Sequence, residues 1–198
     1  MKKIILIIFL GFTTEFGYAQ FRQDTTIVYA NPGYNKDPMR SKWSSKVQQK
    51  GDFWEVGLYD KKDNLREKIN FEDKKLEVRK GPYAFYENGK VKEEGQYDKG
   101  HKNGIWQRFY PNGQLFERLN YWYGKLAGPF TSFWDNGKLK IEGKYSNDKK
   151  IGLWEYYYSN AKLALRESYG EDGKVIDFFY FDSAGNKIPD KTVVVKID

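Results

Sequence analysis

Residues 104–121 read GIWQRFYPNGQLFERLNY, and the rest of the chain repeats this pattern. The segment opens with Gly-x-Trp, continues through a short aromatic stretch, turns at Asn-Gly and ends on a tyrosine. Related segments begin at Gly81, Gly128 and Gly152, and residues 52–71 form a degenerate copy. The turns of the clear copies recur every 24 residues. A fixed period of this length is typical of repeat architectures.

Each clear copy contains a turn dipeptide between two alternating runs. Asn88-Gly89, Asn112-Gly113 and Asn136-Gly137 are Asn-Gly pairs, and the fourth copy has Asn160-Ala161. Asn-Gly between alternating apolar runs favours a β-hairpin with a two-residue type I′ turn, because both turn residues need positive φ. We therefore expect four hairpins, of which the fourth has a looser turn or one of another type.

The strand after each turn alternates with a period of two, which indicates a half-buried β-strand. One face is predicted to carry a row of tyrosines, and the other face is mostly polar. The tyrosines of this row are Tyr97, Tyr121, Tyr145 and Tyr169. The sequence thus predicts an all-β protein, an elongated antiparallel sheet of successive β-hairpin repeats with about four clear repeats and degenerate ends.

The composition excludes several kinds of site. The 198 residues include no cysteine and one histidine, His101, while aromatic residues make up 18% of the chain. Thiolate metal sites, thiol nucleophiles and redox pairs are therefore excluded, and we expect no metal site and no cofactor. The formal net charge is +7. Because the chain is predicted to be exported, we expect anionic glycans or lipid head groups, rather than nucleic acid, as partners for this charge.

The first residues have the pattern of a secretion signal. Lys2 and Lys3 precede an apolar run, residues 4–12, which is too short to span a bilayer. Small residues at Gly17 and Ala19 fit cleavage after Ala19. We expect an exported protein of the periplasm or cell envelope, or one secreted from the cell, without a transmembrane segment once the signal is removed.

The chain is thereby divided into four parts. Residues 1–19 are predicted to be the signal peptide and residues 20–51 an irregular N-terminal leader. Residues 52–188 form the β-hairpin repeat array, and residues 189–198 form a C-terminal tail or a short strand.

Aromatic residues outnumber the core positions of the repeat. Neighbouring aromatic residues on a strand point to opposite faces, so one of each pair is exposed or covered by a neighbour. This surplus is the basis for a candidate binding face. Trp122 lies off the repeat frame and is the strongest candidate. The full set is Trp122, Tyr123, Trp134, Tyr157 and Tyr110.

Catalysis has no positive support in the sequence. Glu93, Glu117 and Glu167 are predicted to share the tyrosine face, where they would line an aromatic groove. Glycoside hydrolysis needs two carboxylates roughly 5 to 9 Å apart. Equivalent positions of Glu93 and Glu117 in a rigid repeat lie two strands apart, roughly 9 to 10 Å. We therefore predict no catalytic residues.

The repeat resembles the MORN repeat, and more closely its bacterial variant. The resemblance rests on Glu94-Gly95-Gln96-Tyr97, Gly100, Gly104-Ile105-Trp106 and Asn112-Gly113, and on their counterparts across about residues 81–169. It implies successive antiparallel hairpins in one twisted sheet. The chain departs from the family pattern at Leu119 and Glu167, where glycine is expected, and at Ala161.

The family resemblance implies binding or scaffolding rather than a particular activity. We expect a non-enzymatic, exported scaffold that binds a protein or an envelope component. One alternative is a glycan-acting or glycan-binding envelope protein that uses the aromatic and acidic face. Another is an antitoxin-like inhibitor of a protein partner, a label that some bacterial relatives carry.

Overall fold

The computed structural model describes residues 18–19, 26–29 and 43–189, with side chains from residue 44 onward. Every regular element in these residues is a β-strand. In chain order the strands are β1 (Tyr18–Ala19), β2 (Thr26–Tyr29), β3 (Trp43–Lys50), β4 (Phe53–Tyr59), β5 (Leu65–Phe71), β6 (Arg79–Glu87), β7 (Lys90–Asp98), β8 (His101–Lys102), β9 (Gly104–Phe109), β10 (Leu115–Trp122), β11 (Lys125–Leu126), β12 (Gly128–Phe133), β13 (Leu139–Ser146), β14 (Lys149–Tyr157), β15 (Leu163–Tyr169), β16 (Val175–Phe181) and β17 (Lys187–Ile188).

The chain divides into two compact units, and β7 contributes residues to both. Of the described residues, the first unit comprises 18–19, 26–29, 43–91 and 97–100. Its strands β1 to β6 pair antiparallel, each with the next along the chain. Its core is a single apolar cluster on which Trp54 and Tyr83 also pack. The buried members of that cluster are Val47, Val56, Leu58, Ile69, Phe71 and Leu76.

Of the described residues, the second unit comprises 92–96 and 101–189. Glu93 and Glu94 of β7 pair with β9, and the long strands β9, β10, β12, β13, β14, β15 and β16 then follow one another in antiparallel order. This arrangement confirms the predicted all-β class and the succession of antiparallel hairpins.

The leader is not irregular throughout, which corrects the sequence-based expectation. Within residues 20–51, β3 is an eight-residue strand that pairs with β4 from Ser44 to Lys50. This strand is hard to recognise in the sequence because apolar and polar residues do not alternate along it. Its buried residues are Ser45 and Val47, and Ser45 is polar. The predicted signal segment before Tyr18 and the predicted tail beyond Pro189 lie outside the described residues.

The turns also differ from the expectation. Asn88-Gly89 has positive φ at both residues, as a type I′ turn requires. At Asn112-Gly113 only the glycine has positive φ, and the Gly113 N–H donates to the Tyr110 carbonyl while the Tyr110 N–H donates to the Gln114 carbonyl. This is a three-residue loop built on a type I turn with a left-handed third residue.

Ala161 adopts the same conformation as the glycines that it replaces. Its φ is +72°, and the Tyr158–Ala161 and Tyr158–Lys162 hydrogen bonds reproduce those of the preceding turns. The fourth turn is therefore of a type other than type I′, as expected, but it is no looser than the second and third turns, for which the type I′ prediction was wrong. The loop carries a non-glycine residue in the left-handed region, which costs roughly 1–2 kcal/mol for most residues.

Glycine and tryptophan are matched between neighbouring strands of the second unit. A Cβ added to Gly95 would overlap the indole of Trp106, and one added to Gly143 would overlap the indole of Trp154. Trp106 is completely buried and Trp154 is 1% exposed. Each indole N–H donates to a backbone carbonyl, Gln96 for the first and Lys144 for the second. Because each glycine has no side chain, the indole of the next strand occupies the space that a side chain would fill.

The predicted tyrosine row surrounds these indoles. Tyr121 and Tyr145 lie opposite Gly104 and Gly128 in the strand pairing. The Tyr145 ring meets the Trp154 ring edge to face, with 4.9 Å between centroids. The tyrosines are half-buried, whereas the tryptophans are the fully buried side chains.

Candidate functional site

Two exposed aromatic residues of the second unit meet at one turn. β10 ends at Trp122, and Tyr123-Gly124 connects it to β11. Trp122 is 66% exposed and Tyr123 is 38% exposed. Their rings are perpendicular, with centroids 5.2 Å apart. The two residues therefore present a compact aromatic projection to solvent.

The backbone of this turn is unusual for an aromatic residue. Tyr123 has φ +42°, in the left-handed region that bulky residues rarely adopt. The corresponding turn of the next repeat places Asn147 there, and asparagine tolerates this conformation well. Unfavourable backbone conformations of this kind concentrate at functional positions.

Neighbouring loops hold the turn in place. The Gly124 N–H donates to the Lys102 carbonyl at 2.8 Å, and the Leu126 N–H donates to Asp148 Oδ1 at 2.7 Å. His101, the only histidine, is exposed and lies beside Gly124. The aromatic projection is therefore carried by a backbone anchored on both sides.

Trp134 and Tyr110 serve the fold instead of a free face. The Tyr110 hydroxyl donates to the Phe133 carbonyl at 2.8 Å, and the Trp134 indole N–H donates to the Tyr157 carbonyl at 3.0 Å. Trp134 is 8% exposed, and the ammonium of Lys140 lies 4.0 Å from its ring centroid. The two side chains occupy equivalent positions and fasten each hairpin to the next.

Tyr157 lies among charged groups on the mostly polar face. Its hydroxyl is 2.8 Å from Glu142 Oε1 and 2.9 Å from Glu155 Oε2. The Arg166 guanidinium binds Glu155 from the other side. Burial, followed by the hydrogen bonds to the two carboxylates, raises the pKa of Tyr157 far above its ordinary value.

The glutamates of the aromatic face are engaged with cations and hydroxyls. Arg108 Nη1 lies 2.6 Å from Glu117 Oε1, and Arg108 Nε lies 3.6 Å from Glu93 Oε1. Lys102 adds a 2.7 Å contact to Glu93. Burial lowers the pKa of Arg108, but the two carboxylates outweigh that effect and the pKa is raised. Arg108 thus fills the space between the carboxylates that a sugar would need.

Glu167 is held in the same way by tyrosines. The hydroxyls of Tyr156 and Tyr169 each donate to its Oε2 at 2.8 Å. Burial and the hydrogen bond to Glu167 raise the pKa of Tyr169 to about 12. The glutamates of this face are therefore held by neighbouring side chains, whereas the buried Ser132 hydroxyl opposite Glu117 has no hydrogen-bond partner within the described residues.

The described residues contain no group of three or more histidine, cysteine, aspartate or glutamate side chains placed to hold a metal ion. None of the described segments forms a helix with the length and apolarity that crossing a bilayer requires. Of the five predicted binding residues, the structure brings Trp122 and Tyr123 together and places Trp134, Tyr157 and Tyr110 elsewhere, in polar contacts of the repeat.

Matched glycine–indole pairs, three-residue loops and recurring aromatic hydrogen bonds define a protein built from β-hairpin repeats. Residues 83–99, 102–123 and 126–147 each match the sequence profile of the MORN repeat variant. Three consecutive segments of the chain are thus similar to the MORN repeat variant. MORN repeats generally serve in binding or scaffolding of proteins or membrane components, and are generally non-catalytic. No curated protein matches the chain in sequence.

Proposed function

We propose that this chain is an exported scaffold that binds a protein or another component of the cell envelope and has no catalytic activity of its own. The observation that carries the proposal is the Trp122–Tyr123 pair, which is exposed on a turn with an unfavourable backbone conformation. Tryptophan and tyrosine are the side chains most often found at the energetic centres of protein interfaces.

The Trp122 side chain contributes little to the repeat itself. The equivalent positions of the next repeat are Ser146 and Asn147, and that turn forms without aromatic residues. A tryptophan that leaves 66% of its surface in water gains little from folding, because the hydrophobic effect scales with the area removed from water. Binding a partner would bury that area.

Export is supported by the residues that precede the described part of the chain. Lys2 and Lys3, the apolar run and the small residues before Gln20 have the order of a secretion signal. Removal of residues 1–19 takes away Lys2, Lys3 and Glu15 and leaves a formal net charge of +6, which favours a partner with acidic groups, either a protein or an anionic glycan or lipid head group.

Affinity capture tests the binding proposal. The chain starting at Gln20 is immobilised and exposed to envelope extract, and the retained material is compared with that retained by Trp122→Ala. Because Trp122 is exposed, the variant should melt within a few degrees of the parent and retain much less partner. Equal retention by the two proteins would contradict the proposal. Gln114→Ala, on an exposed turn residue, is the matched control and should retain as much as the parent.

Intact-mass measurement of the protein from the envelope fraction tests export. The mass should correspond to a chain that starts at Gln20. A protein that keeps residues 1–19 and stays in the cytoplasm would overturn the localisation and favour the antitoxin-like alternative.

A further inference from the structure

The chain contains four Asn-Gly dipeptides, and the structure holds one of them differently from the other three. They are Asn88-Gly89, Asn103-Gly104, Asn112-Gly113 and Asn136-Gly137. In such a dipeptide the backbone nitrogen of glycine can attack the side-chain carbonyl carbon of asparagine, because glycine has no Cβ to hinder the approach. The attack needs an asparagine side chain that can rotate and a glycine nitrogen that is not engaged as a hydrogen-bond donor.

The dipeptide of the second turn meets neither condition. Gly113 donates its N–H to the Tyr110 carbonyl at 2.9 Å. The Asn112 side chain is held at both ends, since its Oδ1 accepts from the Gln114 N–H at 2.9 Å and its Nδ2 donates to the Asp135 carbonyl at 3.4 Å. The reacting atoms of this turn are therefore already engaged in hydrogen bonds.

The third turn repeats these contacts. Gly137 donates its N–H to the Trp134 carbonyl at 2.9 Å. Asn136 Oδ1 accepts from the Lys138 N–H at 3.0 Å, and Asn136 Nδ2 donates to the Ser159 carbonyl at 3.1 Å. Both turns thus hold their asparagine against the next hairpin and keep the glycine nitrogen hydrogen-bonded.

Asn103-Gly104 is restrained by its place at the start of β9. Both residues are half-buried, and Gly104 pairs with Tyr121 of β10. Asn103 Oδ1 accepts from the Tyr123 N–H at 3.4 Å. This dipeptide is therefore fixed within the sheet instead of lying at an exposed turn.

Asn88-Gly89 is held by none of these contacts. Gly89 follows Gly81 by eight residues, whereas Gly113 follows Gly104 by nine, and the shorter hairpin closes with a two-residue turn. Both residues of that turn are exposed. In the part of the chain that the structure describes, neither the Asn88 side chain nor the Gly89 N–H makes a hydrogen bond. Both reacting groups are thus available for the attack.

We propose that Asn88 is a site of spontaneous deamidation. The Gly89 nitrogen forms a bond to Asn88 Cγ, its proton passes through water to the departing side-chain nitrogen, and ammonia leaves. Water then opens the resulting succinimide ring at either of its carbonyl groups, which produces aspartate or isoaspartate at position 88. Solvent water is the only co-reactant, and the inference does not depend on the proposed scaffold function.

The charges around Asn88 accommodate the product. Asn88 lines a groove together with Lys61, Lys62 and Arg66, and Asp60 is the one acidic residue of that lining. Deamidation would replace a neutral amide by a carboxylate in a groove whose cations outnumber its single carboxylate, and opposite charges attract at this range. The modification therefore adds one negative charge at the tip of an exposed hairpin without disturbing the packing of the unit.

Peptide mass spectrometry tests the proposal on the purified full-length chain. Trypsin cleaves after lysine and arginine and so places the four dipeptides on separate peptides, residues 81–90, 103–108, 109–118 and 126–138. The folded protein is incubated at mildly alkaline pH before digestion, and an aliquot digested without incubation gives the background. Deamidation of the 81–90 peptide should be about tenfold faster than that of each of the other three, because hydrogen bonds must break before attack at those sites.

The chain unfolded in concentrated urea is the matched control. There the four dipeptides should react at similar rates, because the contacts that distinguish them are lost. Similar rates at all four sites in the folded protein would overturn the proposal. A preference for Asn88 that persists unchanged in urea would also overturn it, since the cause would then be local sequence and not the structure of the turn.

Discussion

At the scale of single residues, the second unit depends on the match between a glycine and the indole of the next strand. Gly95 faces Trp106 and Gly143 faces Trp154, eleven residues later in each case. Where the glycine is replaced by Leu119, the position eleven residues later is Phe130, a smaller aromatic residue. The fourth pair, Glu167 and Phe178, likewise combines a residue other than glycine with phenylalanine eleven residues later.

The first prediction concerns this match. Gly143→Ala should destabilise the protein by about 1–3 kcal/mol, because its Cβ would overlap the Trp154 ring. Trp154→Phe should also destabilise, but the double variant should cost less than the two single changes together, since phenylalanine leaves room for the methyl group. Urea unfolding of the four proteins measures the coupling. Strictly additive losses would show that the glycine is not reserved for the indole.

Tyrosine hydroxyls give the protein a characteristic response to alkaline pH. The pKa of Tyr169 is raised to about 12 by burial and by its bond to Glu167. A raised pKa means that the neutral hydroxyl stabilises the folded state; this contribution is complete below about pH 10, the ordinary value for tyrosine, and is lost as the pH rises towards 12.

The second prediction follows from this loss of stability at alkaline pH. The melting temperature of the parent should fall between pH 10 and 12, and Tyr169→Phe should fall less over the same interval. At pH 7 the variant should be less stable than the parent, because it lacks the hydrogen bond to Glu167. The Tyr145→Phe variant is the control for the loss of a hydroxyl that makes no hydrogen bond within the described residues. If the melting temperature of Tyr169→Phe fell as much as that of the parent between pH 10 and 12, ionisation of Tyr169 would not be the cause of the alkaline loss of stability.

At the scale of elements, each hairpin is fastened to the next by hydrogen bonds that span 23 residues. Tyr110, Trp134 and Tyr158 each donate to a backbone carbonyl of the following hairpin. The asparagines of the loops, Asn136 and Asn160 among them, make a second bond of the same span. Each of these asparagines thus contacts the next repeat in addition to its place in the turn.

The third prediction tests this fastening. Tyr158→Phe removes the 2.9 Å bond to the Phe181 carbonyl and should cost about 1 kcal/mol. Tyr145→Phe removes a hydroxyl from a similarly half-buried ring and should cost less than half as much. Chemical denaturation measures both. Equal losses would indicate that the Tyr158 hydroxyl contributes nothing specific.

The fourth prediction concerns the loops. Ala161→Gly should stabilise the protein by about 0.5–1 kcal/mol, because glycine relieves the left-handed conformation but has a larger conformational entropy to lose on folding. Gly137→Ala is the control, because it makes the reverse change at the equivalent loop position, where φ is +80° and an added Cβ would meet nothing within 4 Å. This variant should destabilise the protein by a similar amount. A destabilised Ala161→Gly variant would mean that the alanine methyl packs usefully.

Sequence reasoning predicted the hairpins because the alternation and the turn dipeptides are local signals. It missed the loop type, since a three-residue loop and a type I′ turn both place glycine after asparagine. It also missed β3, whose inner face includes a buried serine. The glycine–tryptophan match was readable in the sequence as a fixed separation of eleven residues. The hydrogen bonds of Tyr110 and Trp134 were not, because they depend on how far one hairpin is displaced from the next.

At the scale of the whole molecule, the repeat supplies a rigid support for surfaces that the repeat itself does not need. On the aromatic and acidic face of the second unit, Arg108 lies between Glu93 and Glu117 and forms an ion pair with each. Trp122, at the end of β10, is by contrast exposed to solvent. Trp122 was identified from the sequence because it lies off the repeat frame.

The central claim is that the chain binds a partner through the surface around Trp122, and crosslinking in living cells tests it most directly. A photoreactive amino acid is placed at position 122 in one variant and at position 114, an exposed loop residue, in a control. After irradiation, the first variant should form a discrete crosslinked species and the control should not. No crosslink at position 122, or the same products from both positions, would contradict the account.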